Sequence, residues 1–173
     1  RLMSVRFVID PIEFVNNASV HRDKIALREL MRLRDVLFSD EGALNYQIRG
    51  HVDSNGRPSL KVSIKGDVSL ICQRCLNSLV HEVAIENDLY LAKNNAEFDR
   101  INENNSIDAI LAVPELDVID LIEEEIILSL PISPSHGDNQ CDPYQSGLNK
   151  SSVDNASQST NPFLALAVLK KTN

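Results

Sequence analysis

"SLKVSIKGDVSLICQRCLNSLVHEVAIENDLYLA", Ser59 to Ala92, decides the fold. Its first half alternates, with Leu60, Val62 and Ile64 on one face and Lys61, Ser63 and Lys65 on the other. A period of two is the signature of a half-buried strand. Gly66 marks a bulge or bend, after which Val68, Leu70 and Cys72 resume the pattern. "LVHEVAIENDLYLA" (79–92) alternates again. Cys72 and Cys75 therefore sit at the tip of a predicted hairpin, a position that zinc knuckles favour.

Towards the amino terminus, "ALNYQIRGHVD" (43–53) is a further alternating run. "SNGR" (54–57) joins it to the quoted stretch and contains Asn-Gly, the strongest short hairpin signal. "VRFVID" (5–10) reads as a strand stopped by Pro11. In "SVHRDKIALRELMRLRDVLF" (19–38), Ile25, Leu27, Leu30, Met31, Leu33 and Leu37 recur at helical spacing. That spacing predicts a helix capped by Ser19, with Arg22, Lys24, Arg28, Arg32 and Arg34 on its polar side.

Towards the carboxyl terminus, "KNNAEFDRINENNSID" (93–108) is polar and Asn-rich, and reads as a loop. "AILAVPE" (109–115) reads as a short strand ended by Pro114. "LDVIDLIEEEIILSLP" (116–131) predicts a helix over 117–130, begun by acids that suit the helix dipole and stopped by Pro131. Residues 144–160 lack periodicity and read as a flexible linker. Residues 161–173 predict an amphipathic tail helix, with Asn161 as cap, Pro162 in the first turn, and Phe163 and Leu166 on the apolar face, which docks back on the core, the commoner outcome, or grips a partner. The expected fold is α+β, a single domain over 1–143. An antiparallel bent sheet or small barrel-like sheet is packed by two main helices at 19–38 and 117–130, with the C-terminal tail helix beyond.

The chain of 173 residues is 43% apolar but only 5% aromatic and has no Trp, so aliphatic side chains must fill the core. It contains no apolar run long enough to span a membrane, and its first residues lack the apolar region of a signal peptide. Three cysteines are an odd number, which argues against a secreted disulfide framework and for the reducing cytoplasm. The net charge of −8 is unevenly spread. Residues 1–81 carry 12 basic and 9 acidic side chains, whereas 82–143 carry 15 acidic and 2 basic. Such a chain can touch RNA on one side and a basic protein on the other, or simply solvate an acidic surface.

No nucleophile elbow, P-loop, dinucleotide fingerprint or H-E-x-x-H motif is present. Glu123, Glu124 and Glu125 are consecutive, so on a helix they point about 100° apart and do not converge on one atom. They read as a solvated or partner-facing acidic ridge. Cys72, Cys75, His136 and Cys141 form C-x2-C and H-x4-C pairs separated by 60 residues. Three thiolates and one imidazole make a tetrahedral structural zinc set. Inert thiols and dithiol redox chemistry are the competing readings, and redox is disfavoured because no helix begins at Cys72 to lower its pKa. Candidate phosphate contacts are Arg22, Lys24, Arg28, Arg32 and Arg34 with Arg49, Arg57, Lys61, Lys65 and Arg74.

Four stretches occur together in order: "FVIDP" (7–11), "ICQRCL" (71–76), "IEEEIILSLPISPSH…C" (122–141) and "NPFLALAVLK" (161–170). The chain resembles the YceD family, the large ribosomal RNA subunit accumulation proteins of bacteria and plastids. The resemblance implies a role in 23S rRNA accumulation and hence in large-subunit assembly, and the expected function is that of a non-enzymatic assembly factor. It also places the family's cysteine motif on Cys72 and Cys75, and its second cluster on His136 and Cys141. The expected partners are precursor large subunit, 23S rRNA or a basic ribosomal protein. On this reading the basic amino-terminal half meets RNA, and the acidic half, with Glu123–Glu125 and the tail residues Phe163 and Leu166, meets protein. Two alternatives are an adaptor that binds protein without touching RNA, and a thiol- or metal-dependent enzyme.

Overall fold

The computed structural model describes residues 7–103, 107–137, 140 and 141. Its backbone is a mixed sheet. The long strands are β4 (Ala43–Val52), β5 (Pro58–Ile71) and β6 (Ser78–Ala92), placed where the alternation predicts them. β4 and β5 are joined across the Asn-Gly turn, with Val52 opposite Pro58. β5 and β6 pair over thirteen consecutive positions, from Ser59 opposite Tyr90 to Ile71 opposite Ser78. One face of these strands is apolar and buried, with Leu44, Ile48, Leu60, Val62, Ile64 and Leu70 among its members. Gly66 sits where β5 changes neighbours: β4 pairs with it up to Lys65, and β3 (Leu37–Ser39) takes over at Ser69. Its φ of +150° is open to glycine and strained for other residues.

The predicted helix over 19–38 is replaced by β2 (Val20–Ala26), two short 3₁₀ turns (Leu27–Glu29 and Met31–Leu33) and β3. The apolar spacing contains both structures. Leu27, Leu30 and Leu33 lie three apart, which is the repeat of a 3₁₀ turn, and all are buried. Val20–Ala26 gains seven paired positions along β4, an opportunity no local pattern reveals. The predicted loop at 93–108 holds a second departure, the helix α2 (Asn95–Asn102). Asn94 caps it by accepting from the Glu97 N–H at 2.9 Å, and Glu97 reaches back to the Lys93 N–H at 2.8 Å. α2 supplies the crossover that lets β7 (Ala109–Leu111) pair with β6 in parallel. The sheet is therefore mixed rather than antiparallel. Its order is β2-β4-β5-β6-β7 with β3 beside β5, and it does not close into a barrel.

The predicted helix at 117–130 forms as α3 (Val118–Ser129), with Asp117 accepting from the Ile119 and Asp120 N–H groups. A two-stranded ladder of β1 (Val8–Ile9) and β8 (Leu116–Asp117) leads into it. Leu121, Ile122 and Ile126 of α3 join the buried face of the sheet in one core. The linker at 144–160 and the tail helix at 161–173 lie outside the described residues.

The short helix α1 (Pro11–Asn16) crosses β4 at Gly50. A Cβ there would stand 2.6 Å from the Phe14 carbonyl oxygen and 2.7 Å from the Val15 Cα. Those are backbone atoms and cannot rotate away. Gly50→Ala is expected to cost about 1–3 kcal/mol by overpacking, read as a lower denaturation midpoint. An unchanged midpoint would mean that α1 is free to lift from the sheet.

Candidate metal centre and basic sheet face

The six residues between β5 and β6 form a tight knuckle. The Leu76 N–H donates to the Cys72 carbonyl at 2.8 Å and the Cys72 N–H to the Asn77 carbonyl at 2.9 Å. Leu76 takes a φ of +61° to close the turn. The chain after α3 returns to this knuckle, where the Gln73 N–H donates to the Pro134 carbonyl at 2.8 Å. Arg74 holds the returning loop by donating to the His136 carbonyl at 2.7 Å and the Gly137 carbonyl at 2.9 Å. Its Nε donates to Cys141 Sγ at 3.0 Å.

This brings the four sequence candidates together. The donor atoms of Cys72, Cys75, His136 and Cys141 all lie within 4.8 Å of one another, with both knuckle cysteines buried. Cys72 Sγ is 3.8 Å from Cys141 Sγ. His136 Nδ1 is 3.4 Å from Cys75 Sγ and 3.7 Å from Cys141 Sγ. Zinc–sulfur bonds of about 2.3 Å and zinc–nitrogen bonds of about 2.0–2.1 Å make a tetrahedron with edges of about 3.8 Å between sulfurs and about 3.6 Å between sulfur and nitrogen. These three separations match those edges. His136 Nε2 donates to the Ser78 carbonyl at 3.0 Å, which leaves Nδ1 of the neutral ring free to ligate.

The surroundings favour thiolate at Cys72 and oppose it at Cys75. Burial opposes ionisation of Cys72, but the N–H groups of Cys75, His136 and Arg74 outweigh it and lower the thiol to about 5. The Asn77 N–H favours the Cys75 thiolate, yet burial and the neighbouring Cys72 and Cys141 sulfurs push that thiol up. Cys141 raises the His136 pKa by hydrogen bonding, against burial. Three sulfurs within 4.8 Å of one another are a poor home for three negative charges, and a divalent cation between them would remove the conflict. The group can hold a metal ion.

The basic candidates divide into two sets. Directly opposed residues share a face of the sheet, and pairing places Arg22 beside Gln47 and Ser63, Lys24 beside Asn45 and Lys65, and Arg49 beside Lys61. Arg22, Lys24, Arg49, Lys61 and Lys65 thus share the solvent-facing side. Lys61 pairs with Glu86 at 2.8 Å. Arg28, Arg32 and Arg34 lie apart, on and beside the 3₁₀ turns, and Arg32 pairs with Glu124 at 2.6 Å. Arg57 pairs with Asp53 at 2.7 Å and lies over the Tyr90 ring, while Arg74 is spent on the knuckle.

Glu123, Glu124 and Glu125 have three different surroundings. Glu123 is 3% exposed and accepts from the Arg32 N–H at 2.5 Å and the Leu33 N–H at 3.2 Å. Glu124 is exposed. Glu125 is 5% exposed and accepts from Asn87 Nδ2 at 2.6 Å. Asn87 was legible as the polar interruption of the inward series Val83, Ile85, Leu89. The tail residues Phe163 and Leu166 lie outside the described residues.

Burial, the largest influence, pushes the Glu125 carboxyl up from 4.5; the Asn87 amide opposes this, and the Asp108 and Glu124 carboxylates add to it. A raised carboxyl pKa makes the folded state bind the proton more tightly than the unfolded one. The resulting stability is full below pH 4.5 and is lost as pH rises through the folded value. Glu125→Gln is therefore expected to melt higher than wild type at neutral pH, by about 2–4 °C, and level with it near pH 4. A variant that melts lower at neutral pH would show that the charge is stabilising where it stands.

The family model described as "Large ribosomal RNA subunit accumulation protein YceD" matches residues 60–170. A curated relative of that same description, from Haemophilus influenzae, is 25% identical over 164 residues, covering 94% of this chain and 94% of its own length. No solved structure matches.

Proposed function

The chain belongs to the YceD family of large ribosomal RNA subunit accumulation proteins, and from that premise we propose that it is a non-enzymatic, cytoplasmic factor of large-subunit assembly that supports 23S rRNA accumulation. The end-to-end match to the Haemophilus influenzae protein carries this reading. Within it, Cys72, Cys75, His136 and Cys141 bind a structural zinc ion. Four protein ligands close the tetrahedron and leave no position for a substrate, so the metal's work is mechanical. It clamps the loop after α3 to the β5–β6 tip.

The solvent-facing side of the sheet meets precursor rRNA. Arg22, Lys24, Arg49 and Lys65 support this, being exposed and without a salt bridge among the described residues. Asn45, Gln47 and Ser63 stand between them as neutral donors. About four phosphate contacts predict a log–log salt slope of roughly −3 for precursor rRNA binding. Arg22→Glu with Lys65→Glu should lower affinity and flatten that slope. Binding that is absent even at low salt would remove direct RNA contact and leave the adaptor reading, which the acidic 82–143 segment supports by its fit to a basic ribosomal protein.

A further inference from the structure

A cavity of about 560 Å³ opens between α3, α2 and the β6–β7 edge of the sheet. Leu89, Phe98, Leu121 and Leu128 give it apolar walls, and Asp108, Glu124 and Glu125 give it charge. Glu125 is 5% exposed, and Asn87, which is neutral, donates to its Oε2. Its Oε1 receives no hydrogen bond, and no lysine or arginine pairs with it, among the described residues. Arg32, which reaches α3 from the 3₁₀ turns, is committed to Glu124. Burial and a neighbouring acid disfavour the ionised carboxylate, and a cation seated against it would offset both. The apolar walls exclude a small hydrated metal ion as the natural guest and suit a cation carried on a methylene stem.

We infer that this cavity takes a lysine or arginine side chain from a basic partner protein, with the cation seated against Glu125 and Asp108 and its stem along Leu89 and Leu128. The inference rests on the reading that the acidic half of the chain meets a basic protein, and it names where.

The probe is a short fluorescein-labelled peptide alternating lysine with leucine, titrated with the full chain and followed by anisotropy. Wild type should bind it and reject the peptide in which glutamate replaces lysine. Glu125→Gln keeps the Asn87 contact and should weaken binding about 10- to 100-fold, as loss of one partner of a buried charge pair does. Leu128→Ser, at a side chain 73% exposed and so harmless to folding, should weaken it severalfold. Glu115→Gln removes an exposed acid outside the cavity and should change nothing. The inference is overturned if wild type fails to bind, if Glu125→Gln binds equally, or if Glu115→Gln loses as much. Sedimentation of wild type with large-subunit precursors tests the functional reading separately, and its failure leaves the peptide result to stand by itself.

Discussion

Cys72→Ser is expected to lose its zinc and to melt about 10 °C below wild type. Serine keeps the size of the side chain but offers no thiolate, so the change falls on the metal. An ion that binds only the folded chain stabilises it by about 4 kcal/mol at a thousand times its Kd. A chain of this size shifts by about 2–4 °C for each kcal/mol. The loss is concentrated at the β5–β6 tip, because the main core cluster does not include the four ligands. Wild type stripped with a chelator should fall to the same melting temperature, and returned zinc should restore it while leaving Cys72→Ser unchanged. Elemental analysis should find about one zinc per wild-type chain. If wild type carries none and melts together with Cys72→Ser, the four side chains are inert thiols and a histidine.

The second large effect concerns Glu123. Its carboxylate lies under the 3₁₀ turns and satisfies the backbone N–H groups of Arg32 and Leu33. These turns have no side-chain cap of their own. Glu123→Ala would leave two donors without a partner, one of them on buried Leu33, at about 1–3 kcal/mol each. The expected loss is about 2–5 kcal/mol, read from urea unfolding. Glu123→Gln keeps one carbonyl acceptor and should lose less. Glu124→Ala is the contrast. Its pair with Arg32 is half exposed on both sides, and removing it should cost less than about 1 kcal/mol. Equal losses at 123 and 124 would rule out a structural anchor beneath the turns.

The two adjacent glutamates show why part of the molecule could be read from the sequence and part could not. A helix over 117–130 follows from apolar periodicity, acids at its start and Pro131 at its end. An exposed ridge of three acids follows equally well from the same pattern, yet Glu123 and Glu125 are buried. Each is held by a group far along the chain: the turns some 90 positions earlier, and Asn87, 38 positions earlier. No local rule refers to residues at such distances. The 19–38 segment departed from expectation for the same reason. Its leucines suit a helix, a strand and a 3₁₀ turn, and the free edge of β4 selected the strand. α2 was hidden by its polar composition, although Asn94 three residues before Glu97 is a helix-start signal visible in the sequence.

By itself the sequence determined β4, β5 and β6, the turn at Asn55–Gly56, the knuckle at Cys72–Cys75, the helix α3 and the family. All of these are carried by residues within a few positions of one another, where side-chain period and turn chemistry act directly. It also supplied the four metal-binding candidates, since donor types are legible wherever they occur. Only the tertiary structure decided that Cys141 comes within 4 Å of the Cys72 sulfur and His136 within 4 Å of the Cys75 sulfur, that five basic residues share one face of the sheet, and that Glu125 lines a cavity with no lysine or arginine paired to it among the described residues. Those are meetings of residues tens of positions apart. They form because burying one apolar face of a sheet against α3 and the 3₁₀ turns sets where the rest of the chain must lie.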